Sequence, residues 1–247
     1  MSTEQSQERF RALSALLDAE GARLWLAYLQ AEHDGIRKLA LARLDAFIAH
    51  ARQGEPGWLD AWIWAFCEAV RASGEPSRKY QLVLPVRFGL LREVVLPRLF
   101  AGYHRREPAA LSGLVVLIDF FYYTAPPGFL ETYTMPLSKQ TLLEEALRVN
   151  PDDELALKKL VDDIARHFDY VIHEVPYGVL TSDAQAELAG LDYFEALVRR
   201  SGEEEEYRDF IAAVRCYLTA WPAYLSEQAR YGSFAAYLGE HDLPLSF

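Results

Sequence analysis

Apolar residues return every three or four positions along almost the whole chain, and the period-two alternation of a half-buried strand is hard to find. This periodicity predicts an all-α protein, a succession of antiparallel helical hairpins that is either helical-repeat-like or an irregular multi-helix array. Helices are expected over about 4–19, 22–32, 36–52 and 57–72, with Gly21, Gly35 and two Gly-Glu-Pro breaks, 54–56 and 74–76, as punctuation. The third places Ile36, Ala40, Leu44, Phe47, Ile48 and Ala51 on one stripe. The fourth does the same with Trp58, Leu59, Trp62, Ile63, Phe66, Cys67 and Val70. Gln81–Leu84 is the one candidate extended segment, and Pro85 and Pro97 should start or kink helices.

Beyond Tyr103, helices are expected from Pro108 to Tyr123, from an N-cap at Ser138 to Val149, and from Asp153 through Phe168. Two more follow, from Ser182, with Gln185 completing a capping-box spacing, and from Ser201, with Glu204 doing the same. Leu13, Leu16 and Leu17 in the first helix, and Leu155, Tyr207, Phe210 and Trp221 late in the chain, are read as inward-facing. Pro222 should end or bend the last long helix. With 247 residues, 51% of them hydrophobic, the chain is long enough to bury a core without disulfides or metal. Cys67 and Cys216 therefore read as small core residues. The chain is treated as one domain, 1–247. Its best internal boundary is the loop 124–136, which contains Pro126-Pro127-Gly128 and separates a neutral part, 1–123, from an acidic part, 137–247.

Residues 143–160, Leu-Glu-Glu-Ala-Leu-Arg-Val-Asn-Pro-Asp-Asp-Glu-Leu-Ala-Leu-Lys-Lys-Leu, resemble the junction between successive tetratricopeptide repeats. Ala146 and Pro151 stand where those repeats place a small residue and a closing proline. The resemblance implies helical-hairpin architecture and carries over no peptide-binding residues, because the 34-residue period of those repeats is not found elsewhere in the chain.

Charge is unevenly distributed. The formal net charge is −11, and residues 151–247, with 19 Asp+Glu against 8 Lys+Arg, account for all of it. Such a surface repels nucleic acid and anionic membrane and attracts a basic partner. No run of apolar residues is long enough to cross a bilayer, and the N-terminal residues lack a secretory pattern, so a cytoplasmic protein is expected.

Signatures of catalysis are sparse. The six histidines form no HExxH, HxH or ExxH spacing, and GxGxxG, GxxxxGK[ST] and GxSxG are absent, so no metal or cofactor is predicted. Two carboxylate candidates remain. Asp119 lies among Val115, Val116, Tyr122 and Tyr123 and, if buried, needs a partner such as a Tyr hydroxyl or Arg87, Arg92 or Arg98. Asp163 and His167 stand four apart on one helix, near His173-Glu174. Against these, the acidic residues Asp152, Asp153 and Glu203 to Glu206, with Trp64 on the polar face of its helix, form a candidate partner-binding set. The expected function is a non-catalytic module binding a basic protein, such as a toxin or effector held by an immunity-type inhibitor, or an adaptor. The alternatives are a helical enzyme using Asp119 or the Asp163/His167 pair, and a scaffold subunit that self-associates as a homodimer.

Overall fold

In the computed structural model, which describes residues 3–53, 57–73, 86–124, 128–136 and 138–244, every regular element among those residues is helical. The protein is an all-α multi-helix array. It divides into two compact units, Met1–Pro151 and Asp152–Phe247. The breaks expected at 54–56 and 74–76, the segment 81–84, Pro85 and residues 125–127 lie outside the described residues.

The first unit opens with α1 (Thr3–Ala12), which tightens into a 3₁₀ turn over Leu13–Leu16. At Leu17 the chain turns extended, and Asp18 caps α2 (Ala19–His33) by accepting the Gly21 N–H at 2.7 Å. The helix expected over about 4–19 therefore stops at Leu16, three residues earlier. An N-cap carboxylate overrides the glycine, which sits inside the new first turn. Leu16 and Leu17 consequently leave the core, Leu16 becoming exposed and Leu17 half-buried. Gly35, at φ +71°, closes α2: its own N–H bonds Glu32 O and the next, Ile36 N–H, reaches back to Ala31 O. Ile36 lies in that turn and is exposed, unlike the rest of its expected stripe, which α3 (Arg37–Ala51) buries against α2.

On α4 (Leu59–Ala72) the expected face from Leu59 to Val70 is buried, and Trp58 is half-buried. After α5 (Phe88–Leu90), a π-helical turn at Leu91–Val95 leads into α6 (Leu96–His104). Pro97 has no N–H to give the preceding turn, and just upstream the Leu96 N–H reaches five residues back to Leu91 O. Then come α7 (Pro108–Thr124), the short α8 (Phe129–Thr132) and α9 (Lys139–Val149), which is capped by Ser138 as expected. Packing of α9 on α7 ties residues 139–149 to the first unit. The structural division thus falls after Pro151 and not in 124–136.

In the second unit, α10 (Glu154–Ile172) is capped by Asp153, α11 (Ala184–Ser201) by Asp183 and α12 (Glu204–Ser226) begins after Glu203. Two expected caps are corrected: Ser182 lies one residue too early, and Ser201 is the last residue of α11. Gly202, at φ +77°, terminates α11, and with it the Glu203 N–H returns to Val198 O in the bond pattern of a glycine C-cap. Pro222 does not end α12, which continues to Ser226 because Tyr224 is buried against Trp221, Phe234 and Tyr237. Two short helices, α13 (Gln228–Tyr231) and α14 (Phe234–Glu240), complete that aromatic core. Leu155, Tyr207, Phe210 and Trp221, expected inside, are half-buried. No helix among the described residues is long and apolar enough to cross a membrane.

Candidate functional site

Asp119, the carboxylate singled out on α7, is 31% exposed, and its ion pair is with a residue not considered from sequence. Lys139 Nζ, on the first turn of α9 and only 6% exposed, donates to Asp119 Oδ1 at 2.6 Å. Lys139 is thus the more buried of the two, and the carboxylate supplies the opposite charge that a buried ammonium requires. Four of the side chains proposed as its partners make other contacts as well. Tyr122 Oη donates to Pro136 O, Arg87 forks onto Glu32, Arg92 pairs with Glu93, and Arg98 approaches Asp60 at 3.9 Å. This is a structural clamp between two helices.

The i, i+4 pair on α10 is likewise diverted. His167 is exposed and reaches across to α11, where Nε2 lies 2.9 Å from Glu187 Oε2, while Asp163 engages Arg166. His173 is held at the helix end, with Nδ1 2.6 Å from Tyr170 O and Nε2 3.0 Å from Glu174. Among the described residues no group of three or more His, Cys, Asp or Glu side chains is placed to hold a metal ion. Cys67 is buried, and desolvation pushes its thiol up to about 12, so it is no nucleophile near neutrality; Cys216 is half-buried and shifted in the same direction. An Asp–His contact also exists in the first unit, His50 Nε2 to Asp18 at 2.9 Å. There Asp18 also accepts from the Gly21 amide and Trp58 Nε1, which makes it a helix cap and cross-brace.

The acidic candidates separate by role. Asp153 is buried and spent on the Ala156 amide at 3.1 Å, which removes it from any binding surface. Glu203 is half-buried and accepts from Ser201 Oγ. Glu205 pairs with Arg208. Asp152, Glu204 and Glu206 are exposed. Trp64 is half-buried and belongs to the neutral first unit, so the structure does not place it on the acidic one. A local sign of the negative field is Tyr207: burial first, then Asp162, Glu206 and Glu203, push its phenol up to about 12.

Sequence reasoning missed an aromatic surface at the end of α10 and in the connection that follows it to α11. Tyr177 is 81% exposed and Tyr170 is 65% exposed, the two most exposed large hydrophobic side chains among the described residues, and Leu180 nearby is 45% exposed. The only signal in the sequence is that Tyr170 falls off the Leu157–Leu160–Ile164–Phe168 stripe. No family model, no curated protein and no solved structure matches the chain.

Proposed function

We propose that the protein is a non-catalytic binding module whose acidic unit holds a basic protein partner, as an immunity-type inhibitor or an adaptor acting in the cytoplasm. The observation that carries this reading is the coincidence of two boundaries. The step in charge and the division between compact units fall at the same place, so one unit is neutral and the other carries the net −11. Local needs absorb part of that acid. Asp153 and Asp183 cap helices, Arg208 pairs with Glu205, Arg215 with Asp192 and Glu195, and Arg230 with Glu227 and Glu240. Glu154, Asp169, Glu204, Glu206 and Asp209 remain exposed with no ion pair among the described residues. A unit-wide negative potential of this kind accelerates encounter with a cationic protein and disfavours acidic competitors.

The test is association kinetics of the full chain with small proteins of pI above about 9, followed from low to high salt. Association should slow by about tenfold or more between roughly 0.02 and 0.3 M salt. Combining Glu203→Gln, Glu204→Gln, Glu205→Gln and Glu206→Gln should slow it at low salt. Absence of binding at low salt, or rates indifferent to salt, would overturn the reading.

A further inference from the structure

The exposed rings of Tyr170, on the last turn of α10, and Tyr177, in the connection to α11, are held on a fixed backbone. Val175 N–H bonds Ile172 O at 3.0 Å, Tyr177 N–H bonds Glu174 O at 2.6 Å, and Leu180 N–H folds back onto Val171 O at 2.8 Å. Val179 is buried. Gly178 lies so close to α12 that a Cβ there would stand 2.7 Å from the Trp221 ring. The loop is therefore pinned on both sides of Tyr177, while the Tyr177 side chain itself is left in solvent. Tyr170 is similarly placed, its ring stacked on His173 with centroids 5.0 Å apart and planes 22° from parallel.

Largely exposed, these rings add little to the unit's own stability, and exposing them costs solvation. Aromatic side chains presented on an ordered backbone are the usual anchors of protein interfaces, since little conformational freedom is lost on docking. Their surroundings specify the chemistry of the visitor. Asp169 precedes Tyr170 and Glu174 lies between Tyr170 and Tyr177 along the chain; both carboxylates are exposed, and among the described residues Asp169 has no ion pair and Glu174 pairs with His173, in a unit of net charge −11. Ring faces beside carboxylates suit a guanidinium, which stacks on the one and donates in-plane hydrogen bonds to the other. Leu180, 45% exposed and tied through its N–H to the O of Val171, the residue after Tyr170, adds an apolar side chain.

We propose that the Tyr170–Tyr177–Leu180 surface is the docking site for an arginine-bearing, partly apolar segment of the basic partner. The proposal rests on the acidic-unit reading above and adds to it a place and a side-chain chemistry. The probe is a labelled amphipathic peptide of Arg and Leu, about 16 residues long, enough for roughly four helical turns. Its affinity for the full chain is measured by anisotropy at about 0.05 and 0.3 M salt. Tyr177→Ala, and Tyr170→Ala combined with it, should weaken binding by about tenfold or more at both salt concentrations, and Tyr177→Phe should restore most of it. Glu204→Gln with Glu206→Gln should act mainly at low salt. Far-UV circular dichroism of these surface variants should match the parent.

Three results would overturn the inference, each differently. If the unaltered chain fails to bind the peptide at low salt, the acidic-unit reading falls and the site with it. If binding is salt-sensitive but indifferent to both tyrosine changes, the acidic reading stands and this site is wrong. If instead the tyrosine changes abolish a concentration-dependent dimer seen by sedimentation and leave peptide binding intact, the surface is a self-association face.

Discussion

Trp25 and Trp62 offer a controlled comparison of what a hydrogen bond is worth in this core. They meet edge to face at the centre of the first unit, centroids 5.2 Å apart and planes at 86°, and both are fully buried. Trp25 Nε1 donates to Phe10 O at 2.8 Å, whereas Trp62 Nε1 has no hydrogen-bond partner among the described residues. Changing either to Phe deletes the same atoms from the same aromatic cluster, so the transfer and cavity costs, on the order of 1–2 kcal/mol, nearly cancel between the two variants. The polar terms do not cancel. Trp25→Phe takes away the indole donor that the Phe10 carbonyl uses, at about 1–3 kcal/mol, while Trp62→Phe removes a donor that is already unsatisfied and recovers part of its desolvation cost. An N–H directed at a neighbouring ring would return less than about 1 kcal/mol to Trp62.

Trp25→Phe should therefore be the less stable variant by about 2 kcal/mol. With a urea m-value of about 2 kcal/mol/M, the two midpoints should differ by about 1 M. Circular dichroism is the appropriate probe, because both changes delete a fluorophore. Since the chain has two compact units, the transition that moves should belong to the first unit and any other should stay in place. Equal midpoints, or Trp62→Phe as the weaker variant, would refute the hydrogen-bond argument.

Two further perturbations test partly buried polar contacts in the same unit. Arg87 forks onto Glu32 at 2.8 and 2.6 Å, and the Glu32 side chain is 8% exposed. Arg87→Ala should cost about 3 kcal/mol in urea unfolding, and Glu32→Leu with Arg87→Leu should recover most of that loss. A double variant as unstable as the single one would show that the pair is not the cause. Tyr103 Oη donates to Glu145 at 2.6 Å, and burial, then that carboxylate, push its phenol up to about 12 from 10.0. A folded-state value above the unfolded one means stability that is fully present below pH 10 and lost as pH rises toward 12. Tyr103→Phe should flatten that alkaline loss and remove one late-titrating phenol from the ultraviolet titration. An unchanged titration curve would contradict the assignment.

Helical periodicity and local capping made most of the fold legible, and the misreadings share a cause. Where two capping residues compete within a few positions, sequence spacing alone does not choose between them. Asp18 displaced Gly21 as the boundary, Asp183 displaced Ser182, and Glu203 displaced Ser201. In the first two cases a carboxylate accepts a backbone N–H of the first turn, an interaction at least as favourable as the alternative. The stripes of α3 and α4 were readable because many residues agree on one face. Single polar residues were not. Lys139 is buried and Asp153 is buried, although lysine and aspartate are among the least often buried residue types. The aromatic surface was harder still, because tyrosine serves both roles: Tyr28, Tyr217 and Tyr224 are core residues, Tyr170 and Tyr177 are exposed, and only the path of the chain separates them.

Negative charge alone does not make a binding surface, and neither do exposed rings. Acid without exposed rings describes a solvated surface, and a charged helical unit of that kind needs no partner. Exposed rings without acid describe a nonselective contact face, which soluble chains tend to suppress. In the second unit the two occur together, with Tyr170 and Tyr177 in the same short stretch of chain as the exposed Asp169 and Glu174, on a backbone pinned to α10 and α12. Long-range charge governs how quickly a cationic protein arrives, and short-range ring contacts govern how long it stays. Changes to Glu204 and Glu206 should thus appear in association rates and changes to Tyr170 and Tyr177 in dissociation rates. A surface that only confers solubility has no reason to produce that separation.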